Sequence, residues 1–317
     1  MQLIELKKEM RFSTELLSLI STLKNIAASR YHSLEREKER FEQFMHSFTD
    51  FFRAVNLVEV NHPLARSMTD VLGIVMVTSD SGFMGGLNAG VIEAASELQG
   101  SMSDEKVRLI VLGEKGASKL ADAQRKFKFF RGIADETRYE QALEVANYAV
   151  EEVRAKRIGK LVLVYPKPES FSKQTIETIN VLPCAELFDR SAESAIAKRG
   201  KERRFIADAR KVIVESSFED MVVYLARTWV VSKLYEVFED SKLSEYAARA
   251  MHLEGSNQKL EKDLKKLKYQ VFRASHEKID KGMRESFSAG NIRKKRKIAE
   301  DKEEAAAGVE AALAVEQ

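Results

Sequence analysis

The residues most open to chemistry lie in the run Gly82-Phe83-Met84-Gly85-Gly86-Leu87-Asn88-Ala89-Gly90, which follows an apolar stretch and opens a helical one. Dinucleotide folds bind pyrophosphate at that place, on a glycine turn at a helix N-terminus. The spacing here is G-x-x-G-G-x-x-x-G rather than G-x-G-x-x-G, and no G-x-x-x-x-G-K-[ST] occurs anywhere. A tight strand-to-helix turn is therefore the expectation. Asp80 could serve as a base or a ribose ligand, but its neighbours offer no partner for either role, so it reads as a structural turn aspartate. The five histidines (His32, His46, His62, His252, His276) show neither metal spacing nor a triad context. Cys184, the one cysteine, follows Pro183 and reads as a packed small residue. Arg293-Lys294-Lys295-Arg296-Lys297 resembles a nucleic-acid tag in isolation, but a solvated tail is the simpler reading. No catalytic constellation, cofactor site or metal site emerges.

Composition leads to the expectation of a soluble, intracellular, charge-rich protein. The chain has 317 residues, 44% hydrophobic and 32% charged, with a net charge of +3. Near balance provides no global field for nucleic acid. A single cysteine cannot form an internal disulfide and suits a reducing compartment. No apolar run approaches the ~20 residues that span a bilayer, so direct membrane insertion is not expected.

The elements that must position these residues are set out by glycine and proline. All four prolines lie between Pro63 and Pro183, and eleven of the fifteen glycines between Gly73 and Gly200. The first 62 residues contain neither, and nor does the span from Glu202 to Glu254. The chain thus divides into a helix over 1–62, an α/β domain over 63–215, a second helix over 216–290, and a charged, Ala-rich tail over 291–317 expected to be disordered.

In the first segment, 3- and 4-residue steps from Leu6 to Phe52 reach apolar residues at eleven of fourteen positions. That is a heptad stripe, on a rod of roughly 75 to 90 Å. The last segment opens with the capping pattern Ser216-Ser217-Phe218-Glu219. Its apolar residues then recur at helical spacing from Met221 through Leu243, Leu264 and Val271 to Ile279, Met283 and Phe287, with Gly290-Asn291 as the expected stop. Two long helices with apolar stripes bury them by packing together as an antiparallel coiled coil. Between them, Val71–Val77, Val107–Leu112 and Leu161–Tyr165 suit parallel strands buried on both faces, Thr175–Val181 an antiparallel edge strand. Helices are expected near Asn88–Leu98, Gly116–Gln124 and Tyr139–Arg154. The fold class is α/β, a small Rossmann-like domain inserted between coiled-coil helices.

Three anchors resemble the gamma subunit of bacterial F-type ATP synthases. The family's T/S-D-x-G-L-C-G-G-L-N turn stands here as Thr78-Ser79-Asp80-Ser81-Gly82-Phe83-Met84-Gly85-Gly86-Leu87-Asn88. Its A-M-K-M-V-A-A-A-K pattern is similar to Thr22-Leu23-Lys24-Asn25-Ile26-Ala27-Ala28-Ser29-Arg30, and its S-E-x-x-A-R-M to Ser244-Glu245-Tyr246-Ala247-Ala248-Arg249-Ala250. The chain departs from the family's A-T-D-N-A at Gly255-Ser256-Asn257-Gln258-Lys259 and from its A-R-Q-A at Ala274-Ser275-His276-Glu277, which marks a divergent member.

The resemblance implies a non-catalytic rotor shaft without cofactors, one copy per complex. Its implied partners are the alpha and beta subunits, the epsilon subunit and the membrane c ring, at the cytoplasmic face of the inner membrane as a peripheral subunit. It implies beta-subunit contacts at Leu23, Lys24, Ile26 and Arg30 and a c-ring contact at Glu215. It also implies a structural hallmark turn of Asp80, Gly82, Gly85, Gly86, Leu87 and Asn88. The alternative reading is a coiled-coil scaffold or nucleic-acid-associated protein with a non-catalytic Rossmann-like domain.

Overall fold

The computed structural model describes residues 3–55, 63–64, 66–100, 102–184 and 218–315, and among these not the side chains of 39–55, 218–219, 221–222 and 300–315. The chain divides into two compact units, residues 21–255 and residues 1–20 with 256–317.

The 21–255 unit is built on a five-stranded sheet. Strands β1 (Leu72–Val77), β2 (Val107–Leu112), β3 (Phe127–Phe130), β4 (Lys160–Ser170) and β5 (Lys173–Leu182) lie in the order β3-β2-β1-β4-β5. The pairs β3–β2, β2–β1 and β1–β4 are parallel, and β5 returns antiparallel on β4 at the edge. Helices α2 (Leu87–Gln99), α3 (Glu114–Asp122) and α4 (Arg138–Arg154) make the crossovers. The unbroken apolar runs follow from burial on both faces. On one face Val75, Val77, Ile110 and Leu163 pack under α4 and under the first turns of the last helix, α5 (Phe218–Val315); on the other, Ile74, Met76 and Val111 pack under α2 and α3.

Two strand features escape the sequence reading. β3 is only four residues, Phe-Lys-Phe-Phe, too short for a period. β4 runs past Tyr165 through Pro166 and Pro168. Beyond Val164 it pairs only with β5, and on a free edge a missing N–H costs no ladder bond.

The first helix, α1 (Leu3–Val55), and α5 pair antiparallel within this unit: Tyr31 and Leu34 pack on Leu243 and Ala247, Lys24 reaches Glu254, and Lys38 reaches Asp240. α5 docks on the hairpin through Ser244, which is 0% exposed and donates to the Pro166 carbonyl at 3.0 Å. In the other unit Leu6, Leu264 and Leu267 are buried.

Two expectations about α5 are corrected. The helix does not stop at Gly290-Asn291 but continues through the expected disordered tail to Val315. One glycine costs only about 1 kcal/mol in a helix, and the alanines and charged residues that follow are good helix formers. Nor is the stripe buried along its whole length, since every side chain from His276 to Ala299 is exposed, Ile279, Met283 and Phe287 included. The expected boundaries at 62/63 and 215/216 fall at or within stretches outside the described residues.

Candidate partner-contact surfaces

At the carboxyl ends of the parallel strands, the crevice where open α/β folds hold ligands is filled by the chain's own polar groups. Thr78 Oγ1 donates to the Leu112 carbonyl at 2.6 Å and accepts from Gly116 N at 3.0 Å. Asp80 Oδ1 accepts from Glu114 N at 2.9 Å and Gly132 N at 3.1 Å. One carboxylate thereby ties β1 to the start of α3 and to the loop after β3. Asn88 Oδ1 accepts from Ser79 N at 3.1 Å, and its Nδ2 donates to Ser79 Oγ at 3.0 Å, clamping the ends of the turn together. Gly113 has φ +94°, and a Cβ there would stand 2.4 Å from the Thr78 carbonyl oxygen. Asp80 and Asn88 are thus structural braces.

The rest of the turn meets α5. Phe83 and Gly85 take positive φ, 65° and 58°, Gly86 caps α2, and Leu87 begins it half-buried. The Gly82 carbonyl faces Arg249 Nε at 3.5 Å, the Met84 sulfur lies 3.9 Å from the same guanidinium, and Glu245 holds Arg249 at 2.6 Å. His252 Nδ1 stands 3.8 Å from where a Cβ on Gly85 would be. Two sequence anchors far apart in the chain, the glycine turn and Ser244–Ala250, therefore form one joint. Phe83, Met84, Ala89, Ile92, Lys115 and His252 line a cavity of about 540 Å³ beside it.

The expected contacts on α1 divide. Leu23 is 36% and Ile26 52% exposed, so both present apolar surface. Lys24 Nζ is engaged by Glu254 at 3.0 Å, and Arg30 lies 3.7 Å from Asp135 while largely solvent-facing. Glu215 lies outside the described residues.

An ionic clasp that the sequence reading misses joins α1, α4 and α5. Lys38 Nζ sits 2.5 Å from Asp240, Arg138 sits 3.0 Å from Glu37, and Lys242 sits 3.0 Å from Glu245. Asp135 accepts a short hydrogen bond from Tyr246. Burial pushes the Glu239 carboxyl up to about 7, against the pull of Arg138, the Tyr235 hydroxyl and Lys38. Burial likewise raises Asp240, although Lys38 opposes it. The clue in the sequence is the adjacent acid pair Glu239-Asp240 inside an apolar helical stretch.

Cys184 is buried, its thiol pushed up to about 12 by burial, with Sγ donating to the Leu64 carbonyl at 3.0 Å. His32 stacks on Phe171 and His276 packs on Phe272; the side chain of His46 and all of His62 are outside the described residues. Among the described residues no group of three His, Cys, Asp or Glu stands together to hold a metal ion, and no helix is long and apolar enough to cross a membrane.

Comparison with known proteins agrees with this arrangement. A family model described as ATP synthase matches residues 2–289. The ATP synthase gamma chain of Streptomyces avermitilis is 28% identical over 265 residues, covering 79% of this chain and 83% of that one. That of Desulforudis audaxviator is 26% identical over 213 residues, covering 65% and 69%. Among solved structures, a chain of the Euglena gracilis mitochondrial ATP synthase OSCP/F1/c-ring assembly superposes with a TM-score of 0.63 at 15% identity, over 92% of this chain and 94% of that one. A chain of the Tetrahymena thermophila mitochondrial ATP synthase central stalk and c ring gives 0.54 at 18% identity, over 75% and 99%. The match takes in the glycine turn, the sheet and the joint to α5 together, and by it this chain belongs to the ATP synthase family, as one of its gamma chains.

Proposed function

We propose that this chain is the central-stalk rotor subunit of an ATP synthase and that it performs no chemistry itself. The observation that supports this reading most directly is the contrast along α5. Residues 225–253 are locked into the sheet and the clasp, whereas Ile279, Met283 and Phe287 of the same helix are uncovered. A shaft needs one part fixed to a base and another offering surface to a surrounding ring. Alpha and beta subunits around the helices would meet Leu23, Ile26 and Arg30, with Lys24 serving chiefly to tie α1 to α5. Because the surface differs on each side, three equivalent catalytic sites would be held in different states. Turning the shaft would exchange them, which is coupling through differential contact.

In this reading the base meets the epsilon subunit and the c ring, with Glu215 at the ring, and the subunit is peripheral to the cytoplasmic face of the inner membrane. Choice of proton or sodium then belongs to the ring. Native mass spectrometry on complexes captured through a tag on the sheet domain tests it. One copy of this chain with three copies each of two ATPase subunits is the expected result. A bare monomer, with those ATPase subunits present in the lysate, would overturn it.

A further inference from the structure

Among the described residues, the sheet has an unpaired edge on its parallel side: β3 bonds to β2 alone, with Leu109 opposite Phe127 and Leu112 opposite Phe130. The Phe130 carbonyl accepts from Gly113 N at 3.0 Å, so Phe130 and, two residues back, Lys128 turn their backbone groups inward. Phe127 and Phe129 therefore point N–H and C=O out of the sheet, as a row ready for another strand.

Side chains along this edge carry one sign. Lys126, Lys128, Arg131 and, on β2, Arg108 form no ion pair among the described residues, whereas Arg125 is held by Asp104 at 3.0 Å. Lys128 lies over the rings of Phe130 and Tyr148, at 5.4 and 5.5 Å, on the α4 face. Phe129 is 41% exposed. Two clefts of about 590 and 350 Å³ flank the edge, the first lined by Arg108, Lys126 and Tyr148, the second by Phe129 and Arg131. The acids within them, Asp104, Glu105 and Glu144, are fewer than the cations, and Asp104 is already paired.

We propose that the β3 edge is a docking site for an extended acidic segment of a partner polypeptide, which adds to the sheet as a sixth strand. Main-chain bonds to Phe127 and Phe129 supply the pairing, and the cations supply the selection. Charge decides the occupant. A second copy of this chain would bring lysine against lysine, the arrangement that keeps natural edges from pairing with themselves.

The test uses the full-length chain and a labelled decapeptide of alternating glutamate and valine. Lysine–valine and proline-interrupted versions serve as controls. Fluorescence anisotropy should show the acidic peptide binding at least about tenfold tighter than either control, and weakening as salt rises. Hydrogen exchange at the Phe127 and Phe129 amides should slow by roughly tenfold with the acidic peptide alone. Lys126→Glu with Lys128→Glu should reverse the charge preference, and Phe129→Pro should abolish binding of all three. Should Phe129→Pro not fold, the charge reversal and the exchange data decide. The proposal is overturned by no binding up to millimolar peptide, by binding indifferent to charge or to proline, or by sedimentation showing this edge occupied by a second copy.

Discussion

Glu239 is the residue whose protonation the fold changes most clearly. It is 1% exposed, and its carboxyl is raised to about 7 from 4.5, so the folded chain holds a proton there that the unfolded chain releases. Its contribution is full below pH 4.5 and is lost as pH rises through about 7. Glu239→Gln removes that loss. The melting temperature of the variant relative to the parent should therefore be higher at pH 8 than at pH 5, by an amount corresponding to about 1–3 kcal/mol. A difference independent of pH would show that Glu239 stays ionised. Between β2 and α3, Gly113→Ala forces a Cβ to 2.4 Å from the Thr78 carbonyl oxygen at a φ of +94°. Urea denaturation should show a loss of about 3 kcal/mol or more.

Among the elements, the joint between α5 and the sheet rests on a few buried groups. Ser244→Ala leaves the Pro166 carbonyl without its donor in a dry interface. It should cost about 1–3 kcal/mol in chemical denaturation, and a loss below a few tenths would mean that water reaches the edge of β4. Lys24 and Glu254 are both partly exposed, so a double-mutant cycle between them should give less than about 1 kcal/mol. Most of these elements were legible beforehand. The strands β1, β2, β4 and β5 and the helices α2 to α4 follow from apolar runs and the turns between them. β3 was not legible, because four residues cannot display a period and its identity as a strand comes from β2 beside it. The clasp was not legible either. Sequence places Lys38, Arg138 and Glu239 a hundred residues apart, and only packing of three helices brings them together.

For the whole molecule, the exposed stripe separates what the chain needs for itself from what it offers to others. Replacing Ile279, Met283 and Phe287 together by serine removes apolar surface that is half or more exposed. The isolated protein should keep its stability within about 0.5 kcal/mol, while its incorporation into the ATPase complex, measured by native mass spectrometry, should fall by roughly tenfold or more. Loss of stability in the isolated chain would instead assign the stripe to an internal contact.

Sequence by itself determined the division into helix, α/β domain and helix, because heptad spacing and the confinement of glycine and proline are local properties of the chain. It also determined the antiparallel pairing of the helices, since two apolar stripes must be buried. Tertiary structure alone decided what the polar residues do. Asp80 ties the end of β1 to the start of α3 and to the loop after β3, Lys24 is engaged by Glu254, and Glu239 is desolvated, because hydrogen bonding and burial depend on which distant segments share a volume. It decided too that the stripe on α5 is buried at Leu264 and Leu267 but exposed at Ile279, Met283 and Phe287. Periodicity marks a face as apolar, but packing decides how much of that face is left for a partner.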